Sequence, residues 1–181
     1  MGQPKALLKI GDRNFVEQIS YNLWMAGISP IYLVLGANAE EIWRQLSPVR
    51  EKIIINREWE NGQISSLQCA LKKIWHKSEA LMVCLVDTPL IKAETYQKLV
   101  QSWKSMQGNI IIPQYKGKHG HPVIFDHRFF PDLMLAPLNE GAHWVTHRHP
   151  ESIIHVDVED EGMVQDIDTM EDCKKLVRNP I

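Results

Sequence analysis

Apolar residues recur along this chain in two alternating rhythms. From Asn14 to Gly27, Phe15, Ile19, Leu23 and Ala26 return every three or four residues, which predicts a helix capped by Asn14 and closed by Gly27. Ile31 to Leu35 is then an unbroken apolar run ended by Gly36, the pattern of a strand buried on both faces. The rhythms go on alternating. Helices are predicted over Asn38–Leu46, from Ser65 or Ser66 to about His76, over Lys92–Met106, over Asn139 to about His149, and over Met170–Val177 behind a Thr169 cap. Strands are predicted over Lys52–Asn56, Ala80–Val86, Asn109–Pro113, His121–Phe125 and Ser152–Asp157, with Gly162–Asp168 extended or looped. Strands alternating with helices predict an α/β fold, an open, mostly parallel twisted sheet with helices on both faces. Length, 181 residues, and the absence of any linker, repeat or low-complexity stretch predict a single domain over 1–181.

Charge and composition narrow the function. A net charge of -2 leaves no basic footprint for nucleic acid or for an anionic membrane surface. No apolar run approaches the roughly 18 residues of a membrane span, and no signal peptide is visible. Cys69, Cys84 and Cys173 are odd in number and include no C-x-x-C pair, so they read as reduced cysteines of a cytoplasmic protein.

In an open parallel sheet, ligands bind beyond the carboxyl ends of the strands, so the chemistry is sought in the loops there. Four stretches stand out. Met1-Gly2-Gln3-Pro4-Lys5 joins a side-chain-free position, a fixed turn and a compact cation, a pattern suited to phosphate and equally that of a plain surface turn. Asp87 ends the most apolar strand before Thr88-Pro89, which suits a magnesium ion shared with phosphate oxygens or, more simply, a turn. Gly62, Ser65 and Ser66 fall where a helix begins, where free N–H groups and hydroxyls meet a base edge or an oxyanion, or merely cap the helix. Asp166 and Asp168 share one side of an extended segment and can hold a cation with a third carboxylate. His143 and His147, four residues apart on a helix with Trp144, read as exposed surface histidines, and Trp24, Trp75 and Trp103 as helix-face packing.

Taken in order, these stretches resemble the MobA-like nucleotidyltransferases, and within them the molybdenum cofactor cytidylyltransferase branch. Met1 to Leu8 matches the second half of the family's opening L-A-A-G-x-S-x-R-M-G-x-P-K-x-L-L. Asn56, Trp59, Gly62, Ser65, Ser66 and Leu67 match its N-x-x-W-x-x-G-x-x-S-S-L. Asp87-Thr88-Pro89 answers D-Q-P, Gly120–Phe125 answers G-H-P-V-x-F, and Asp166–Asp172 answers D-I-D-T-P-E-D with Met170 for Pro. The resemblance implies a fold like that of the nucleotide-diphospho-sugar transferases. It also implies transfer of CMP from CTP to a phosphorylated pterin of the molybdopterin type, with release of pyrophosphate. It assigns Gly2, Lys5, Gly62, Ser65 and Ser66 to the nucleotide, Lys5 and Asp87 to catalysis, and Asp87 with Asp166 or Asp168 to Mg2+. A molybdoenzyme or its chaperone is the implied protein partner. Leu138-Asn139-Glu140-Gly141-Ala142-His143 departs from the family's G-D-x-G-A-R, placing His143 where an Arg for the acceptor phosphate is expected. The alternatives are a guanylyltransferase, a transferase for another phosphorylated small molecule, and a non-catalytic nucleotide-binding relative. The unmatched first half of the opening motif carries the expectation of an N-terminally truncated chain. The sheet would then lack its first strand, the shared neighbour of Ile31–Leu35 and Leu81–Val86.

Overall fold

A computed structural model describes residues 3–46 and 52–167. The chain opens with a 3-10 turn over Lys5–Leu7 and a small hairpin, β1 (Lys9–Ile10) and β2 (Arg13–Asn14), turned at Gly11 with φ +58°. Helix α1 (Phe15–Met25) starts at a full capping box. The Asn14 side chain accepts from Glu17 N at 2.9 Å, and Asn14 N donates to the Glu17 carboxylate at 3.0 Å. Phe15, Val16, Ile19 and Leu23 form its buried face.

Next come β3 (Tyr32–Leu35), α2 (Ala39–Gln45), β4 (Lys52–Ile55), α3 (Gln63–Ile74), β5 (Ala80–Val83) and α4 (Ala93–Ser105). They are followed by β6 (Ile110–Tyr115), β7 (Lys118–His119), β8 (Val123–Asp126), α5 (Phe130–Leu135), α6 (His143–Arg148) and β9 (Ile153–Asp157). β3 pairs with β4 in parallel. A second sheet runs β5–β8–β6, with β7 and β9 also on β6. Only β6–β9 is parallel there; β5–β8, β8–β6 and β6–β7 are antiparallel. The sheet is therefore mixed, where a mostly parallel one is expected from sequence. The reason is local. Lys116 and Gly117 both take positive φ, +48° and +80°, and fold β6 straight back on itself, so the return strand enters antiparallel.

Alternate residues of the strands reach two apolar layers. Ile31, Ala80, Met82 and Cys84 pack with α1 and α4 residues such as Leu23 and Leu99. Tyr32, Leu81 and Val83 pack on the other face with Leu71, Ile74, Phe130 and Val145. Among the described residues β3 has no backbone partner strand but β4, and β5 none but β8. All four residues of β5 are only partly buried.

Several elements differ from the sequence expectation. α3 begins at Gln63, with Gly62 at the cap position, so Ser65 and Ser66 lie inside its first turns and do not start it. The late helix is only His143–Arg148, because Pro137 O accepts from Glu140 N and Gly141 N in a turn and Gly141 takes φ +68°. α5 and the opening hairpin have no counterpart in the sequence reading. Trp24 is 46% exposed, so it does not pack the helix face inward; Trp103 does, and it donates to Asp126 at 3.0 Å. The helix expected over Met170–Val177 lies outside the described residues, as do Gly2 and Asp168.

Candidate active site

Ala6 and Leu7 set the place of Lys5. Both are buried against Val16, Leu35 and Ile42, which fixes the turn at the carboxyl end of β3. Lys5 Nζ stands 4.0 Å from Asp87 Oδ2. Asp87 lies just beyond β5 in a turn held by buried Thr88, whose hydroxyl donates to Leu85 O at 3.2 Å. Asp87 Oδ1 is buried and accepts no hydrogen bond. An ionised oxygen left this way is costly unless a cation or donor arrives there. The Asp87 backbone carbonyl accepts from Ile167 N at 2.8 Å, which brings the segment carrying Asp166 alongside.

That segment is anchored by Asp160, a buried carboxylate with three donors. Lys92 N and Thr95 Oγ1 reach its Oδ2 at 2.9 and 2.6 Å, and Gly162 N reaches its Oδ1 at 3.1 Å. Gly162 can sit there because it has no side chain; a Cβ would come within 2.7 Å of Leu90 O. Gly120 is confined in the same way, a Cβ there meeting Met163 O at 2.5 Å.

Asp87 and Asp166 both line a cleft of about 1100 Å³, together with Gln63, Thr88, Gly120 and His121. Among the described residues no group of three or more His, Cys, Asp or Glu converges as a complete metal cage. Two carboxylates in one cleft do suit Mg2+, which takes one or two carboxylates and leaves its other positions to water and phosphate. The orphaned Asp87 oxygen fits that role.

The third expected loop is built around Asn56, a residue given no role from sequence. Asn56 is buried at the end of β4 and donates to Ser65 Oγ at 2.9 Å and Ser66 Oγ at 3.0 Å, while its own Oδ1 accepts from Glu58 N at 2.9 Å. The Ser65 hydroxyl lies 3.0 Å from Glu58 O and 2.8 Å from Gly62 O, so it closes the loop internally. Ser66 is only partly buried. Gly62 takes φ +83°, which turns the chain into α3. Ser65 lines a separate hollow of about 520 Å³ with Asn56, Arg57 and Lys72, not the large cleft. A polar residue ending the run Ile53-Ile54-Ile55 was the available signal for Asn56.

His143 and His147 are exposed, as expected, and they also face the large cleft. His119, His121, His143, His147 and His155 all line the large cleft. His121 is half-buried, with Nδ1 3.4 Å from Val83 O. Burial lowers its pKa; the Val83 carbonyl and Asp87 pull it back up, and His143 pushes it down again.

Asp87 and Asp166 past the strand ends of a mixed α/β sheet lie where folds of this class bind small-molecule ligands. The chain belongs to the MobA-like NTP transferase domain family, whose model matches residues 1–153. It is 28% identical over 182 residues to nicotine blue oxidoreductase of Paenarthrobacter nicotinovorans, covering 96% of this chain and 88% of that protein. Its fold is that of Rv0371c from Mycobacterium tuberculosis H37Rv, with a TM-score of 0.85, 21% identity, 98% of this chain and 90% of that one. Rv0371c has also been solved with manganese, and that structure superposes with a TM-score of 0.79 at 22% identity, over 97% of this chain and 92% of that one. CMP:2-keto-3-deoxy-manno-octonic acid synthetase, solved with CTP, shares the fold with a TM-score of 0.75 at 13% identity, over 96% of this chain and 90% of that one.

Proposed function

We propose that the protein moves CMP from CTP to the phosphate of a molybdopterin-type pterin, releasing pyrophosphate. The observation that carries this is the pair Lys5–Asp87 at the ends of β3 and β5, with a buried Asp87 oxygen lacking a partner and Asp166 in the same cleft. Lys5 binds triphosphate oxygens as a point charge. Asp87 and Asp166 hold the divalent ion, Mg2+ in this reading; when bound, it neutralises charge on the phosphates. Asp168 is the alternative second carboxylate, and Gly2 the close approach to the triphosphate. Gly62 and Ser66 shape the nucleotide end, with Ser65 and Asn56 fixing that loop. An oxygen of the acceptor phosphate attacks the α-phosphorus, and the bond to the pyrophosphate oxygen breaks. That nucleophile is already an anion, so no general base is needed; positioning and charge neutralisation do the work.

The manganese bound to Rv0371c and the CTP bound to the octonic acid synthetase support a divalent ion and a cytidine donor. A cytoplasmic protein handing its product to a molybdoenzyme or its chaperone completes the reading. Calorimetric competition between CTP and GTP, each with Mg2+, tests the donor. CTP binding at least tenfold tighter supports the proposal, and a preference for GTP replaces it with the guanylyltransferase reading. The name of the Paenarthrobacter relative favours a second reading, a redox enzyme on the same scaffold. Binding of neither nucleotide would move the balance to it.

A further inference from the structure

We infer that the open edge of β4 is a docking surface for a second copy of this chain, which adds its own β4 antiparallel across a twofold axis. The inference does not depend on the transferase reading. Among the described residues β4 pairs with β3 alone. Lys52 N donates to Ile31 O at 2.9 Å, and Asn56 N donates to Leu35 O at 2.8 Å. Backbone groups alternate sides along a strand, so Ile54 also turns toward β3, while the N–H and C=O of Ile53 and Ile55 point off the edge. The Cys69 thiol approaches Ile55 O at 3.8 Å, a weak donor to a carbonyl that can accept twice. Natural edge strands are usually blunted by charge, proline or a bulge. The run Ile53-Ile54-Ile55 carries no such device, and Ile55 is 50% exposed. Beside this edge opens the hollow of about 520 Å³, whose rim adds Leu138, also 50% exposed.

The geometry and the charges of this edge match themselves. An antiparallel register with Ile54 on the axis sets Ile53 opposite Ile55 of the second copy. Both residues of that pair turn their N–H and C=O outward, so each pair exchanges both hydrogen bonds, and the axis makes the pair twice. The side chains of Ile53 and Ile55 then meet on one face, which covers the exposed Ile55. Lys52 stands at the start of β4, with Nζ 5.8 Å from the centre of the Tyr32 ring, while Glu58 and Glu60 follow the end of the strand. All three are exposed. Antiparallel docking brings each Lys52 toward the Glu58–Glu60 loop of the other copy, where two carboxylates outweigh the one guanidinium of Arg57. Parallel docking would set like charge on like. A patch that carries both signs at opposite ends of one apolar strand fits its own copy under a twofold axis, the commonest symmetry of soluble oligomers.

Sedimentation velocity over the micromolar range, joined to residue-resolved hydrogen exchange by NMR, tests the inference on the full chain. A dimer that dissociates on dilution is expected. Exchange at the Ile53 and Ile55 amides should slow as concentration rises, while the Ile54 amide, already bonded to β3, should not respond. Ile55→Lys should weaken association about tenfold or more and leave the melting temperature unchanged, because the side chain it replaces is half exposed. Lys52→Glu should weaken association as well, and combining it with Glu58→Lys and Glu60→Lys should restore it, a rescue that a structural role for Lys52 would not produce. A chain that stays monomeric at every concentration overturns the inference. So does a dimer that ignores Ile55→Lys, or one whose new protection falls on Tyr32–Leu35 or Ala80–Val83 in place of Ile53 and Ile55. Nucleotide binding is measured separately, so a failure of the transferase reading leaves this result standing, and the reverse holds too.

Discussion

Replacing Asp160 with Ala should unfasten the site from behind without touching it. The carboxylate accepts from Lys92 N, Thr95 Oγ1 and Gly162 N at 2.9, 2.6 and 3.1 Å, and the residue is 2% exposed. A hydrogen bond to a charged group contributes about 1.5–3 kcal/mol, and three sharing one acceptor add up to less than their sum. A loss of about 4 kcal/mol is therefore expected, a large part of the roughly 5–15 kcal/mol that holds a typical domain. With a urea slope of about 2 kcal/mol/M, the unfolding midpoint should fall by about 2 M. Thr95→Val removes one donor and should lower it by less than half as much. The loss should also reach function. Gly162 and the Ile167 N to Asp87 O contact, at 2.8 Å, hold Asp166 beside Asp87. Variants measured below their unfolding midpoint should thus bind Mg2+ with CTP more weakly. A midpoint shift under 0.5 M, with unchanged nucleotide binding, would refute the claim that Asp160 anchors this segment.

Asp87→Asn should lower turnover about a hundredfold or more, yet leave the melting temperature unchanged or raised, because it removes a charge whose buried Oδ1 has no donor; a melting temperature several degrees lower would contradict this. His121 has a folded pKa below its ordinary value, so the unfolded chain binds the extra proton. The stability it contributes is complete above about pH 6.5 and is lost as pH falls through the folded value. Urea unfolding from pH 7.5 to 5 should show that slope, and His121→Gln should flatten it. Hydrogen exchange should be faster in β3 and β5, each paired on one edge among the described residues, than in β6, paired on both.

The legible parts of this fold were those written locally. Asn14 with Glu17 announces α1, and the apolar runs at Tyr32–Leu35 and Lys52–Ile55 announce the parallel pair β3 and β4. Where a residue's role depends on a distant partner, sequence spacing carried no trace of it. Val123–Asp126 has the composition of any buried strand, and only the two-residue turn at Lys116-Gly117 decides that it runs antiparallel. Phe130–Leu135 was hidden by Pro131, which reads as a breaker but stands in the first turn of α5, where no N–H is needed. Asp87 stood out because it closes the apolar run Ala80–Val86, and Lys5 and Asp166 only through the motif stretches around them. Asn56 lay in plain view at such a break, but its task, holding two serines, appears only when α3 folds back over it. The histidines that face the cleft come from four elements, and among them only His143 and His147, four apart on α6, share a helical spacing.

Pyrophosphate release from CTP, with Mg2+ and reduced molybdopterin as acceptor, tests the central claim most directly. The account predicts release that requires the acceptor, falls at least tenfold when GTP replaces CTP, and collapses in Asp87→Asn. Release that proceeds equally with GTP, or that survives Asp87→Asn at the full rate, would contradict it.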